Sequence, residues 1–451
     1  GLFCWGILNT SPRDFNQEQI DGFLRETKKV CDEKGITMER PTISDMRNKR
    51  LADAMRDLKK EAEERSGNTL QLIVVLKAQD GANDVSYADI KQIGDIDLGV
   101  PTTCCLAKKA LTKDKRDPRR PPNFNFFYCK GVVLKINAKL GCYHPPQVPK
   151  AMRASINWKV QVPWKLDSRG APVKTMVFGI DVSHPSPGSR QPSVSAITAL
   201  MDPWGHRYIA RYKAHGRRME VGGLSVETLT TMVAQMLVFF ATHNDGPPDS
   251  ILVYRDGVSE SQFEAVKQTE VAAFRQVAKD LSRNQWAGML NGRMWEPNIT
   301  YVVCQKRNQL RFTPEGRAGA ARNGNFQAGL VVDTQVVSAT LFDFHLISHS
   351  GLQGTSRPVH YVVLEDDEGY SFDEIESITY ALCYGYSRCT KSIGTVTPVY
   401  YADKIAERVR LYYGDASDQY SDSGTARSAG SEGDLEQRVI HRSMCHSMFW
   451  L

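Results

Sequence analysis

Three aspartates, Asp181, Asp256 and Asp403, carry the chemistry that this sequence suggests. Met176 to Ile180 is a short apolar run between Pro172 and Pro185, which reads as a buried strand ending on Asp181. A carboxylate at the end of a buried strand is costly unless it caps the next element, pairs with a cation or holds a metal. ILVYRDGVSE repeats the situation, a β run that ends on Asp256. Adjacent strands delivering both carboxylates to one sheet edge would set like charges against each other unless a divalent cation lay between them. Asp403, at the start of a late helix in YYADKIAERVR, could lean on the same edge. Strand-end and helix carboxylates converging on hard cations are what two-metal phosphodiester cleavage needs. Spacing alone leaves the simpler alternative open, in which Asp181 is a cap or turn residue.

A second constellation is cationic. Tyr87 and Lys91 are four apart, as are Lys135 and Lys139, so on a helix each pair shares one face. Two lysines at that spacing repel unless an anion or water screens them, which hints at a phosphate; the alternative is two solvated surface lysines. Arg408 follows Asp403 by five residues, about 140° around a helix, so one helix can turn its acid and its arginine to different sites. Arg388 in YGYSRCTKS offers a guanidinium fork suited to phosphate, although Arg388 and Arg408 could equally pair with a carboxylate such as Glu407.

These residues need elements to hold them. A chain of 451 residues suffices for two or three domains with full cores. The net charge of +6 permits a nucleic acid without demanding one, so the basic block from Ala107 to Lys150 says more than the total. Ten scattered cysteines without CxxC or Cys/His ligand spacing read as reduced thiols, many in the core, in the cytosol or nucleus. The apolar start GLFCWGIL, with neither Met nor preceding basic residues, reads as a strand cut from a longer protein. No apolar run is long enough to span a bilayer.

Residues 1 to about 150 alternate strand and helix patterns, which predicts an open, doubly wound α/β domain with ligands beyond the carboxyl ends of its strands. No GxGxxG follows the first strand, so a dinucleotide is not implied. Pro145 to Pro163 reads as a linker. From Val173 the pattern is richer in strands, with helices at Ser225–Thr242, Ser259–Leu281, Phe372–Tyr384 and Pro398–Tyr412. Gly414 to Glu436 has a disordered composition, and Leu435 to Phe449 reads as a last helix.

Six long motifs then occur in one order: VFGIDVSHP (Val177–Pro185), ILVYRDGVSESQF (Ile251–Phe263), VVCQKR (Val302–Arg307), GNFQAGLVVDT (Gly324–Thr334), GLQGTSRPVHYVVLEDD (Gly351–Asp367) and YYADKIAERVR (Tyr400–Arg410). Over essentially its whole length the chain resembles the C-terminal half of eukaryotic Argonaute proteins, the fungal quelling type among them. The resemblance implies an α/β architecture: a Rossmann-like MID domain at 1–150, then an RNase H-like PIWI domain at 151–451 with a disordered insertion at 414–436. It implies a catalytic set of Asp181, Glu220, Asp256 and Asp403 on two Mg²⁺ or Mn²⁺ ions, with Asp403 where the family often has His. Glu220, in the loop ARYKAHGRRMEVGGL, is the match for the family's inserted glutamate, and Glu227 is its rival.

By the same resemblance Tyr87 stacks on the first base of a guide strand, while Lys91, Lys135, Lys139 and Arg408 bind its 5′ phosphate. Thr103 stands where many relatives have Gln, Arg388 contacts the guide backbone, and Lys77 to Val85 is the loop that would select the first nucleotide. The apolar ending MFWL is expected to be buried near this pocket. The implied function is a small-RNA-guided endoribonuclease in RNA silencing that cuts complementary RNA. The alternative is a guide-loaded platform that does not cut and recruits partner proteins. Guide RNA, target RNA and silencing proteins are the implied partners, with no membrane and a cytoplasmic or nuclear location.

Overall fold

The computed structural model describes residues 1–78, 85–112, 123–141, 162–186, 189, 191–215, 224–316, 319–351, 353–413 and 435–451. Two sheets organise them. The first is parallel, in the order β2-β1-β3-β4, from β1 (Trp5–Asn9), β2 (Thr42–Asp45), β3 (Leu72–Lys77) and β4 (Thr102–Leu106). This is a doubly wound arrangement, with both faces covered. Helices α1 (Gln17–Glu33) and α5 (Phe126–Leu140) bury Phe23 and Val132 against Ile7, Leu72 and Val74, and α2 (Leu51–Ser66) and α3 (Tyr87–Gln92) bury Met55, Leu58 and Ile90 against Leu8, Ile73 and Val75. Helix α1 starts where the sequence expects it, because Asn16 and Gln19 form a reciprocal capping box. A short helix α4 (Ala107–Ala110) leads into a two-stranded ribbon of β5 (Leu111–Thr112) and β6 (Asn123–Phe124).

The second sheet has eight strands in the order β12-β13-β14-β11-β10-β7-β8-β9. They are β7 (Thr175–Ser183), β8 (Ser193–Leu200), β9 (Tyr208–His215), β10 (Ser250–Asp256), β11 (Asn298–Gln305), β12 (Leu330–Val332), β13 (Phe342–Ile347) and β14 (Val359–Asp366). One face packs Phe178, Val253 and Tyr301 on α6 (Val226–His243) and α8 (Ala272–Arg283); a shorter helix, α7 (Phe263–Val266), joins α8 through a π-helical turn at Lys267–Val271. The other face packs Val177, Leu252 and Tyr254 on α9 (Phe372–Leu382), α10 (Thr397–Arg410) and the C-terminal residues. The nine described cysteines are free, and no described helix is long and apolar enough to cross a membrane.

Helix α10 lies unusually close to β7, and glycine makes that possible. A Cβ at Gly179 would fall 2.2 Å from the Pro398 carbonyl carbon, while Thr198 Oγ1, on the neighbouring strand, donates to the Pro398 carbonyl oxygen at 2.8 Å. Gly179→Ala is therefore expected to push the start of α10 off the sheet and cost about 1–3 kcal/mol by overpacking, read as a lower midpoint in thermal unfolding. A wild-type midpoint would show that the helix yields freely.

The structure departs from several sequence expectations. Asp181 is not the last residue of its strand, since β7 runs on to Ser183 through antiparallel pairing with β8, and Asp403 lies in the middle of α10 rather than at its start. Leu435–Phe449 is no helix: residues 435–441 are irregular and only Arg442–Met444 forms a 3₁₀ turn. The competitor is the outer edge of β9. There Gln437 accepts from Ala214 N at 3.0 Å and donates to Ala214 O at 2.8 Å, and Tyr212 Oη donates to the Arg438 carbonyl at 2.6 Å. Edge groups of β9 left open for pairing thus hold this segment against the sheet instead of in a helix. The final Met448, Phe449, Trp450 and Leu451 are buried as expected, with Trp450 edge-on to Tyr401 at 5.7 Å.

Candidate functional site

The acids come together through strand register. Strands β7 and β10 are parallel, with Arg255 opposite Ile180, so the next step along both strands sets Asp256 beside Asp181 on the same face. That face is the one covered by α10, which brings Asp403 to it. Asp181 is 6% exposed. Burial, then the charge of Asp256 and more weakly that of Asp403, push its pKa up to about 6, against the pull of Lys306 and Arg255. Lys306, one residue beyond β11, bonds Asp256 Oδ2 at 2.6 Å, and its pKa is raised by Asp256, Asp181 and Asp403 against the effect of burial. Arg410 Nη2 donates to Ser183 Oγ at 2.7 Å, close enough for its charge to be felt by Asp181 and Asp403. On the opposite face Arg255 is buried against Glu270 at 3.2 Å, and Tyr301 donates to the same carboxylate. This pair anchors the strand behind Asp256.

The donor chemistry fits a hard divalent cation: three carboxylates, one desolvated and mutually repelled. Among the described residues, however, no three acidic, histidine or cysteine groups are closed tightly enough to ligate one ion. Glu220 lies outside the described residues. Its rival Glu227 sits in the first turn of α6, capped by Ser225.

The cationic residues converge at a different place from the one the sheet rule suggests. Crossover helices run antiparallel to their strands, so lysines late in α3 and α5 arrive at the amino end of β4, not beyond a carboxyl end. Lys91 Nζ donates to the Thr102 carbonyl and hydroxyl, both at 2.7 Å, and lies 5.1 Å from the centre of the Tyr87 ring, which is itself exposed. Lys139 Nζ donates to the Thr102 carbonyl at 2.6 Å and to the buried Thr103 hydroxyl at 3.4 Å. An ammonium has three donors, and among the described residues each of these two spends two of them on Thr102 and Thr103, leaving a third for an oxyanion.

The positive charges are felt mutually. Burial, then Lys91 and Arg408, hold the Lys139 pKa well below the ordinary lysine range. Lys135 is lowered to about 8 by burial and by the nearby Arg388 and Lys91. Arg408 reaches from α10 to the π-helical segment Ile93–Leu98 that follows α3, where its Nη1 bonds Asp95 Oδ2 at 2.8 Å, and Tyr412 Oη donates to the same oxygen at 2.8 Å. Burial lowers the Arg408 pKa, and Asp95 more than offsets that, leaving it raised. Glu407 is not the partner of Arg408; it pairs with Lys404 at 2.6 Å. The other oxygen of Asp95, Oδ1, is buried and has no hydrogen-bond partner among the described residues. Of the loop from Lys77 to Val85, residues 79–84 lie outside the described residues.

Three residues of this architecture escape sequence reading. Asp95 and Gly179 carry no spacing signal, and Lys306 stands in a quoted motif but shows its meaning only through the β10–β11 register, where Asp256 faces Cys304.

Comparison with known proteins places this arrangement. The Piwi domain family matches residues 71–413. Protein argonaute MEL1 of rice, Oryza sativa subsp. japonica, is 34% identical over 97% of this chain, which spans 40% of that relative's length. The C-terminal lobe of a budding yeast Argonaute superposes with a TM-score of 0.75 at 22% identity, covering 99% of this chain and 84% of the other. Kluyveromyces polysporus Argonaute, solved with a guide RNA, gives 0.74 at 22% identity over 99% of this chain and 50% of its own. Those likenesses agree with the α/β fold of a Rossmann-like MID domain followed by an RNase H-like PIWI domain. With its Piwi match across both the cationic pocket and the aspartates, the chain belongs to the eukaryotic Argonaute family.

Proposed function

We propose that this chain anchors a small guide RNA by its 5′ phosphate and cuts complementary RNA opposite it, as part of RNA silencing. The observation that carries the reading is the shared helix: α10 sends Arg408 into the buried lysine cluster and Asp403 to the strand aspartates. Residues 1–150 form the guide-binding unit on this reading, and 151–451 the cleaving one. Lys91, Lys135, Lys139 and Arg408 hold the phosphate oxygens, Arg388 contacts the guide backbone, and Tyr87 offers a ring for the first base. Thr103 orients Lys139. Base pairing selects the target, and the protein contributes backbone contacts.

At the other end Asp181, Asp256 and Asp403 are the ligands for Mg²⁺ or Mn²⁺, with Glu220 completing the set. Ions held by these residues would supply Lewis acidity for activating a water and for stabilising a departing 3′ oxygen. The chain's own groups bind and orient: the β7–β10 register fixes two carboxylates side by side, and the contact at Gly179 fixes the third. The open ligand set among the described residues favours a second reading, a guide-loaded platform that recruits silencing proteins without cutting. Both readings fit a cytoplasmic or nuclear protein.

The pocket is tested by binding single-stranded RNA with a 5′ phosphate or a 5′ hydroxyl, followed by fluorescence anisotropy. The phosphorylated strand is expected to bind about tenfold tighter or more, one charge-assisted contact contributing about 1.5–3 kcal/mol. Because the Lys135 charge is present below about pH 8 and lost above it, the preference should shrink as pH rises through that value. Equal affinity for the two strands would remove the reading.

A further inference from the structure

We infer that Lys306 is the built-in counter-cation of the aspartate site and competes with a divalent cation for Asp256. The inference rests on the proposed metal-binding role of the three aspartates. Its own basis is geometric. Strand β11 runs parallel to β10 with Cys304 opposite Asp256, so Lys306, two residues on, returns to the face that carries the acids. Its ammonium meets Asp256 Oδ2 at 2.6 Å, and the side chains are only 31% and 14% exposed. Its charge is also felt by Asp181 and Asp403.

The other described cations nearby are engaged elsewhere. Arg410 donates to Ser183 Oγ and to the Pro192 carbonyl, Arg255 bonds Glu270 and the Asp256 carbonyl, and Lys404 lies 2.6 Å from Glu407 but 3.8 Å from Asp403. Among the described residues, Lys306 is thus the cation in hydrogen-bonding contact with a carboxylate of the triad. One ammonium there does electrostatically what a metal would do, but with a single charge and hydrogen-bond donors in place of a coordination sphere. A divalent ion that takes Asp256 Oδ2 as a ligand has to displace it. Lys306 therefore sets how much cation the protein needs, and it keeps the acids compatible with folding while no cation is bound.

The test is Mn²⁺ binding to the 451-residue chain, without nucleic acid, by the loss of the free-ion paramagnetic resonance signal. Lys306→Met and Lys306→Gln are compared with wild type and with Lys306→Arg, which keeps the charge. The neutral variants are expected to bind Mn²⁺ about tenfold tighter, the scale of a close charge pair, and Lys306→Arg to stay near wild type. In chelator the neutral variants should melt below wild type, and saturating Mn²⁺ should close or reverse the gap. Unchanged or weaker Mn²⁺ affinity in both neutral variants would overturn the inference while leaving the metal site standing. Absence of Mn²⁺ binding from every form would overturn both. The gain with Gln, which keeps a hydrogen-bonding side chain, decides the case if the Met variant fails to fold.

Discussion

Asp181→Asn should lower guide-directed cleavage of a labelled target RNA by about 10²–10³-fold, the scale of losing one electrostatic element of a preorganised site. Asn keeps the volume and planarity of the side chain, so the β7–β10 register and the packing under α10 should survive. What disappears is a negative charge on a group that is 6% exposed and already repelled by Asp256 and Asp403. Losing it relieves repulsion in the cation-free protein, so the variant should unfold at the wild-type temperature or above it. Guide binding should be unchanged, because the lysine cluster lies on the other sheet. Cleavage at the wild-type rate would sink the assignment of Asp181. Guide-loaded wild-type protein that binds its target and never cuts would favour the platform reading.

The second large effect is on stability. Arg408→Ala removes the guanidinium that α10 sends to Asp95 in the helical segment Ile93–Leu98, leaving that carboxylate buried with Tyr412 as its remaining direct partner among the described residues. Breaking a buried pair from one side costs about 3–5 kcal/mol, because the surviving charge has lost its compensation. The expected result is a large fall in the chemical-denaturation midpoint. The paired change Asp95→Asn with Arg408→Ala should recover part of the loss, since no charge is then stranded. If Arg408→Ala alone unfolds like wild type, the contact does not tie the sheets and its role is confined to ligand binding.

How much of this was legible in the sequence depends on how local each cause is. The strands bearing Asp181 and Asp256 announce themselves as apolar runs, and the helix pairs Tyr87–Lys91 and Lys135–Lys139 follow from helical periodicity. Strand β13 hides because Asp343 and His345 are buried within it: Asp343 bonds His360 at 2.7 Å and His345 stacks on the same ring, so polar residues occupy core positions. Strand β2 hides for a different reason, as an edge strand with only Thr42 buried. The Arg408–Asp95 pair joins residues 313 apart, and the role of Gly179 depends on a helix that begins more than two hundred residues later. Periodicity carries no information about such contacts.

In mechanical terms α10 is a strut clamped at both ends. Its start is held by the Pro398 contact with Gly179 and Thr198, and its far end by Asp95. A hydrogen-bonded helix does not stretch, and the five-residue step from Asp403 to Arg408 spans about 7.5 Å along its axis. The separation between the two sites is therefore a fixed length of the protein. On the proposed function, a strand held at one end of such a gauge would present the other end with a bond chosen by counting, so that position along the strand, and not its local sequence, would decide where it meets the acids.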